Sequence, residues 1–188
     1  KKINLVMKFL PENIYHVYNQ GNNKQNIFIE DNHFLYFLQL YEAYIVPHCE
    51  TLAWSLMNTH FHFMIYADTR CNDIKKQGGL MLDPVTNGFR KLLSTYAHEF
   101  NIKNNRSGSL FRPKTKSICL NDEVEKNNFA SKQDYYRNTF DYIHNQAVEA
   151  GIVERPEWWK WSSLRFYLGL RSQSFCNKQL ALEICGLI

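Results

Sequence analysis

The 188-residue chain contains no C-x-x-C pair, and its cysteines, Cys49, Cys71, Cys119, Cys176 and Cys185, are odd in number. With no signal-peptide pattern ahead of them, a reduced, cytoplasmic setting is expected, not a disulfide framework. Long hydrophobic runs are missing too. None approaches the roughly 20 apolar residues that cross a bilayer, so no membrane partner is expected. No repeat or low-complexity linker divides the sequence, which points to one domain over 1–188. An excess of one charge sign is also lacking: 22 Lys and Arg face 18 Asp and Glu, a net charge of +4. That balance permits a nucleic-acid partner but argues for one only where the charge is clustered.

What is present fits a globular protein. Hydrophobic residues make up 45% and charged residues 21%, which excludes a disordered chain. Aromatics reach 15%, enough for one core with rings left for a stacking surface.

Local patterns predict the elements. Ile14 to Tyr18 is β-branched and aromatic and ends at the turn cluster Gly21-Asn22-Asn23, so it reads as a strand. A helix capped by Asp31 or Asn32 follows, with Phe34, Leu38, Tyr41 and Ile45 on one face and Pro47 as its stop. Thr51–Met57 and His60–Ala67 read as a hairpin turning at Asn58-Thr59, and Asp68–Asp83 as a loop. A second helix after Thr86-Asn87 carries Phe89, Leu92, Leu93, Tyr96 and Phe100. Thr115–Leu120 reads as a further strand and the polar Asn121–Lys132 as a loop. A third helix runs from about Gln133 to Ala150, with Gly151 where a helix-ending glycine belongs. The tail holds a Trp-rich segment, a short helix from Ser162 and a last helix near Asn177–Ile184. The order β-α-β-β-α-β-α predicts an α+β fold, a ferredoxin-like antiparallel sheet covered by helices. The core is expected over about 14–151, with a helical C-terminal extension over about 152–188.

Two groups could carry chemistry. In a strand, alternate side chains share a face, so His60 and His62 point together while Phe61 points into the core. Two imidazoles on one face can hold a metal ion; two surface histidines on a half-buried strand is the plainer alternative. On the third helix, Tyr136, Phe140, Ile143 and Ala147 form an apolar stripe. Tyr142 and Gln146 lie one above the other roughly 100° from its centre, on the flank of the buried face. On the helix alone the plainer reading is a boundary tyrosine and a solvated amide. His144 points elsewhere and reads as structural.

Taken in order, several segments resemble one family: Y-H-V-Y-N-Q-G-N-N-K-Q-N-I-F from Tyr15, L-M-N-T-H-F-H-F-M-I from Leu56, R-S-G-S-L-F-R-P-K-T-K from Arg106, D-Y-I-H-N-Q-A-V-E-A-G from Asp141 and W-S-S-L-R-F-Y-L-G from Trp161. The chain resembles the single-domain HUH tyrosine transposases, the insertion-sequence 200-like group that includes the REP-associated tyrosine transposases. The resemblance implies a ferredoxin-like fold, in agreement with the element order. It implies that His60, His62 and Gln146 bind a divalent ion, Mg or Mn, and that Tyr142 is the nucleophile. It departs from the family's M-P-N before H-F-H, here Met57-Asn58-Thr59, and from Y-I-H-x-N-P-V, here with Asn145-Gln146-Ala147 in the last positions. Gln146 keeps an amide oxygen as a donor but adds a methylene.

The activity implied is cleavage and rejoining of single-stranded, hairpin-containing DNA through a 5′-phosphotyrosine, a covalent intermediate that conserves bond energy and needs no nucleotide. The absence of a G-x-x-x-x-G-K phosphate loop agrees with this. A free phenol has a pKa of about 10, and a nearby cation would favour its phenolate. Two neutral imidazoles and an amide would leave an ion its full 2+ charge for phosphate oxygens. Lys103, Arg106, Arg112, Lys114 and Lys116, with Phe111 among them, form an acid-free segment suited to a nucleic-acid backbone and a stacking ring. A non-catalytic single-strand-binding module derived from such a transposase is the alternative. A replication or conjugation nickase shares the logic, but usually within a larger multi-domain chain. Whether Tyr142 serves its own histidine pair or a partner's in a homodimer is left open.

Overall fold

In the computed structural model, which describes residues 8–127, 129 and 131–188, four strands form one antiparallel sheet. They are β1 (Asn13–Gln20), β2 (Glu50–Met57), β3 (His60–Ala67) and β6 (Lys116–Cys119), in the order β2-β3-β1-β6. That order is the ferredoxin-like arrangement: the β2–β3 hairpin slots β3 beside β1, and β6 returns to β1's other edge. The expected hairpin bounds hold to within a residue, with the turn at Asn58-Thr59.

Helices cover both faces. On one lie α1 (Asp31–Tyr44) and α2 (Pro84–Lys103), which bury Phe34, Phe37, Tyr41, Phe89, Leu92, Tyr96 and Phe100 against Val17, Trp54, Phe61 and Phe63. Tyr41 lies flat on Phe63 with centroids 3.9 Å apart. The helices approach closely at Gly88, where a Cβ would fall 2.2 Å from the Tyr44 carbonyl oxygen. α1 is capped by Glu30, one residue before the expected Asp31, because Glu30 and His33 form a reciprocal capping pair. α2 starts four residues earlier than the sequence suggested, at Pro84, with the Asp83 side chain accepting the Thr86 amide 2.8 Å away.

On the other face lie α3 (Leu120–Asn127), α4 (Lys132–Glu149) and α6 (Lys178–Ile184). Tyr136, Phe140, Ile143 and Ala147 of α4 are buried, as the expected stripe requires. Gly151, at φ +66°, closes the helix: its amide donates to Val148 and that of Ile152 to Ala147. The polar stretch expected as a loop over Asn121–Lys132 is corrected. Its first part is α3, because Leu120 and Val124, one turn apart, bury together beside Ile14; Asn128 and Ala130 lie outside the described residues. The expected loop at Asp68–Asp83 likewise contains a small hairpin, β4 (Lys75–Gln77) and β5 (Leu80–Leu82), turning at Gly78-Gly79.

The C-terminal segment, with its short helix α5 (Leu164–Tyr167), seals the β2 edge. The Leu56 amide donates to Trp161, Ser163's to Trp54 and Asn177's to Thr51. Trp161 stacks on Phe34 at 4.5 Å and Trp159 Nε1 donates to the Leu56 carbonyl at 3.0 Å, so these two rings pack on the core, whereas Trp158 is exposed. β6 is the opposite edge strand of the sheet. Among the described residues no helix is long and apolar enough to cross a membrane, and all five cysteines are free.

Candidate active site

Register builds the site. Because β1 pairs with both β3 and β6, Ser55, His62, Tyr18 and Lys116 stand in one cross-strand row on the α4 face. The next row holds Met57, His60 and Gln20. Phe61, between the histidines, points the other way into the α1–α2 core. Along the α4 face the lower rows are apolar, with Ile14, Leu52, Ala53 and Met64 against Phe140 and Ile143. His16 interrupts them in the Met64 row, and the rows above carry Ser55, His62, Tyr18, Lys116, His60 and Gln20, with Met57 the apolar exception.

α4 brings its flank over these upper rows. The Gln146 Oε1 lies 3.2 Å from His60 Nε2. The Tyr142 ring stands edge-on to His62 and His16, at centroid distances of 5.7 and 6.0 Å. Gln146 is 7% exposed and Tyr142 42% exposed, so the amide is enclosed while the phenol reaches solvent. The structure thus places His60, His62, Gln146 and Tyr142 in one neighbourhood. His144 lies apart and is structural in its contacts: its Nε2 meets Ser163 Oγ at 2.7 Å, and Ser163 in turn accepts the Trp54 amide.

Each of the three candidate donors is held from behind. His60 Nδ1 meets Thr59 Oγ1 at 2.9 Å, and His62 Nδ1 meets His16 Nε2 at 2.7 Å. The Gln146 Nε2 donates to Glu149 Oε2 and to the Tyr142 carbonyl, both at 3.3 Å, which turns Oε1 toward His60. The atoms not used in these outer bonds are His60 Nε2, His62 Nε2 and Gln146 Oε1. Burial lowers the pKa of His60, partly offset by its Gln146 contact. Burial, then His16 and His60, holds His62 well below the ordinary imidazole value. Burial also brings His16 down to about 4. All three rings are therefore neutral near pH 7, the state a metal ligand needs. The donor set, two neutral imidazoles and an amide oxygen, fits a divalent ion that keeps its charge. Among the described residues no cluster of three or more His, Cys, Asp and Glu side chains has metal-holding geometry.

A cleft of about 360 Å³ opens beside the histidines, walled by Tyr18, Asn19, Gln20, Arg112, Lys114 and Lys116. Buried Asn19 pins its basic wall, donating to the Arg112 carbonyl at 3.2 Å and to Thr115 Oγ1 at 3.0 Å. Among the described residues, Arg112, Lys114 and Lys116 are exposed and enter no salt bridge. The expected set of basic contacts is corrected in two places. Lys103 and Arg106 do not border the cleft: Lys103 pairs with Glu99 at the end of α2, and Arg106 bonds Asn101 and Gln25. Phe111 is no stacking ring. It is 6% exposed and packs on Phe61 and Tyr96, because the backbone at Gly21 and Phe111 bridges and turns its side chain into the core.

Sequence reasoning missed His16, Tyr18 and Gln20 as site residues. The signal was present in the alternation of Tyr15 to Gln20, which puts these three on one face; only the pairing with β3 makes it the histidine face.

No protein-family model matches the sequence, and no curated protein matches it. A solved structure of a REP-associated tyrosine transposase bound to a REP hairpin matches the fold, with a TM-score of 0.58 and 14% identity, over 92% of this chain and 88% of that one. At that identity the likeness is one of fold: this chain shares the overall architecture of that structure, here a four-stranded antiparallel sheet flanked by helices with further helices at its C-terminus.

Proposed function

We propose that the protein cleaves and rejoins single-stranded DNA, with Tyr142 as nucleophile and His60, His62 and Gln146 as ligands of a Mg or Mn ion. The observation that supports this most is the meeting of His60 Nε2 and Gln146 Oε1 at 3.2 Å, two residues 86 apart in the chain, while the Tyr142 ring one helical turn from Gln146 stands edge-on to His62. Their fit to the segments that resemble the tyrosine transposases supports it independently.

In this reading a divalent ion supplies Lewis-acid polarisation of the scissile phosphate. The chain does the rest. Tyr142, exposed at the rim, offers Oη to phosphorus. A P–Oη bond forms, the bond to the 3′ oxygen breaks, and the phenol's proton ends on the departing 3′-hydroxyl. The product is a 5′-phosphotyrosine, and reversal by another 3′-hydroxyl rejoins the strand. Arg112, Lys114 and Lys116 neutralise the flanking backbone. DNA with a hairpin is the proposed partner, in line with the hairpin bound by the structural neighbour.

The test is a labelled single-stranded hairpin oligonucleotide with Mg or Mn, followed by a denaturing gel. The wild type is expected to yield a covalent adduct and Tyr142→Phe none, with binding retained because one oxygen is lost at an exposed site. An adduct in the Phe variant would move the nucleophile elsewhere. A wild type that binds but never forms an adduct would leave the non-catalytic binding module.

A further inference from the structure

His16 sits on β1, one row below His62, and is 8% exposed. Its Nε2 lies 2.7 Å from His62 Nδ1, well within hydrogen-bond distance. The ring planes differ by only 23° and the centroids are 5.0 Å apart. Together with the short N–N distance, this describes two imidazoles meeting edge to edge through in-plane nitrogens, where the N–H and the lone pair lie. The proton between them resides on one ring or the other, and the two cases differ in consequence. If His16 donates, the neutral His62 carries its own proton on Nε2, and that atom has no lone pair to offer. If His62 donates from Nδ1, its Nε2 is a free donor atom.

We propose that His16 is a positioning residue that accepts the Nδ1 proton of His62, fixing the tautomer and ring direction in which His62 Nε2 can ligate a divalent ion. The inference rests on the metal site proposed above. The surroundings of His16 suit an acceptor that does not move. Tyr18 and Tyr142 pack on its ring at 5.0 and 6.0 Å, and β3 and β6 flank its strand. The same logic recurs at the other two donors, where Thr59 and Glu149 engage the atom that faces away from the site. Outer partners of this kind typically change metal affinity 10- to 100-fold when removed.

Two variants separate acceptance from packing. His16→Phe keeps a flat ring without an acceptor. His16→Gln places an amide oxygen near the position of Nε2. Long-range proton–nitrogen NMR of the ¹⁵N-labelled, metal-free protein reads the His62 tautomer. The expected result is Nδ1–H in the wild type and in His16→Gln, with Nε2–H gaining in His16→Phe. Mn²⁺ titration followed by electron paramagnetic resonance is expected to show 10- to 100-fold weaker binding for His16→Phe and near-normal binding for His16→Gln. Nε2–H on His62 in the wild type would overturn the proposal, as would full-strength Mn²⁺ binding by His16→Phe. If the tautomers behave as expected but the wild type binds no Mn²⁺, His16 still sets the tautomer and the metal reading fails instead. Should His16→Phe not fold, the wild-type spectrum and His16→Gln decide the matter.

Discussion

The two faces of the sheet are made from the same strands and differ throughout. On the α1–α2 side, Val17, Trp54, Leu56, Phe61 and Phe63 meet rings from both helices in a continuous apolar layer. On the α4 side, the lower rows are apolar apart from His16 in the Met64 row, whereas the rows above hold His62 and Ser55, joined by Gln146 from α4, and these polar groups are buried. Nearly every one of those has a named hydrogen-bond partner, as burial of polar groups demands. The comparison teaches that the site is not a gap in the fold. It is a polar half-face whose reverse side is packed with aromatic rings, Tyr41 flat on Phe63 among them, which back β3 from the α1–α2 core. Support of that kind keeps reacting groups in productive geometry.

The contrast can be broken most sharply by truncating opposite faces of the same region. Phe63→Ala removes a fully buried ring that lies flat on Tyr41 and is expected to cost about 3–5 kcal/mol of stability. Tyr142→Phe, on the other face and exposed, is expected to stay within about 0.5 kcal/mol of wild type. Urea unfolding followed by circular dichroism measures both; comparable losses would show that the α4 face is as tightly packed as the core.

The basic wall offers a middle-sized effect. Lys116 shares a row with His62, whereas Lys103 lies at the far end of α2 and pairs with Glu99. Lys116→Ala is expected to weaken single-strand binding and shallow its salt dependence by about 0.7 in the log–log slope, the value for one phosphate contact. Lys103→Ala is expected to leave the slope unchanged. Equal slopes for the two variants would mean that the cleft is not the path of the strand.

The smallest effect belongs to the dry side. The His33 Nδ1 accepts the amide of Glu30 at 3.2 Å in the α1 cap, and burial lowers its pKa from 6.5. The acceptor exists only on the neutral ring. Its contribution is therefore complete above about pH 6.5 and is lost as pH falls through the lower folded-state value. Thermal melts of wild type and His33→Phe are expected to differ most at pH 8 and to converge toward pH 5. A gap that widens on acidification would contradict the capping role.

How much of this was legible before the fold was known depends on whether the information is local. Alternation alone put Phe61 opposite His60 and His62, since a strand has a period of two whatever it pairs with. The stripe Tyr136, Phe140, Ile143 and Ala147 likewise placed Tyr142 and Gln146 on a flank, because helical spacing is intrinsic to the helix. α3 was misread because its apolar content, Leu120 and Val124, is too little to signal a helix without the Ile14 surface it packs on.

The sequence by itself determined the periodicities, and with them the order of the four main-sheet strands and of α1, α2 and α4 among them, the direction of the histidine pair and the helical pairing of Tyr142 with Gln146. Only the tertiary structure decided what those directions meet. Strand register joined His16 and Tyr18 to the histidine face, because which strand neighbours which is set by contacts distant in the chain. The same closure sorted five similar cations into three at a cleft and two elsewhere, and turned Phe111 inward. A side chain's neighbours are a property of the packed sheet and helices, and no local pattern encodes them.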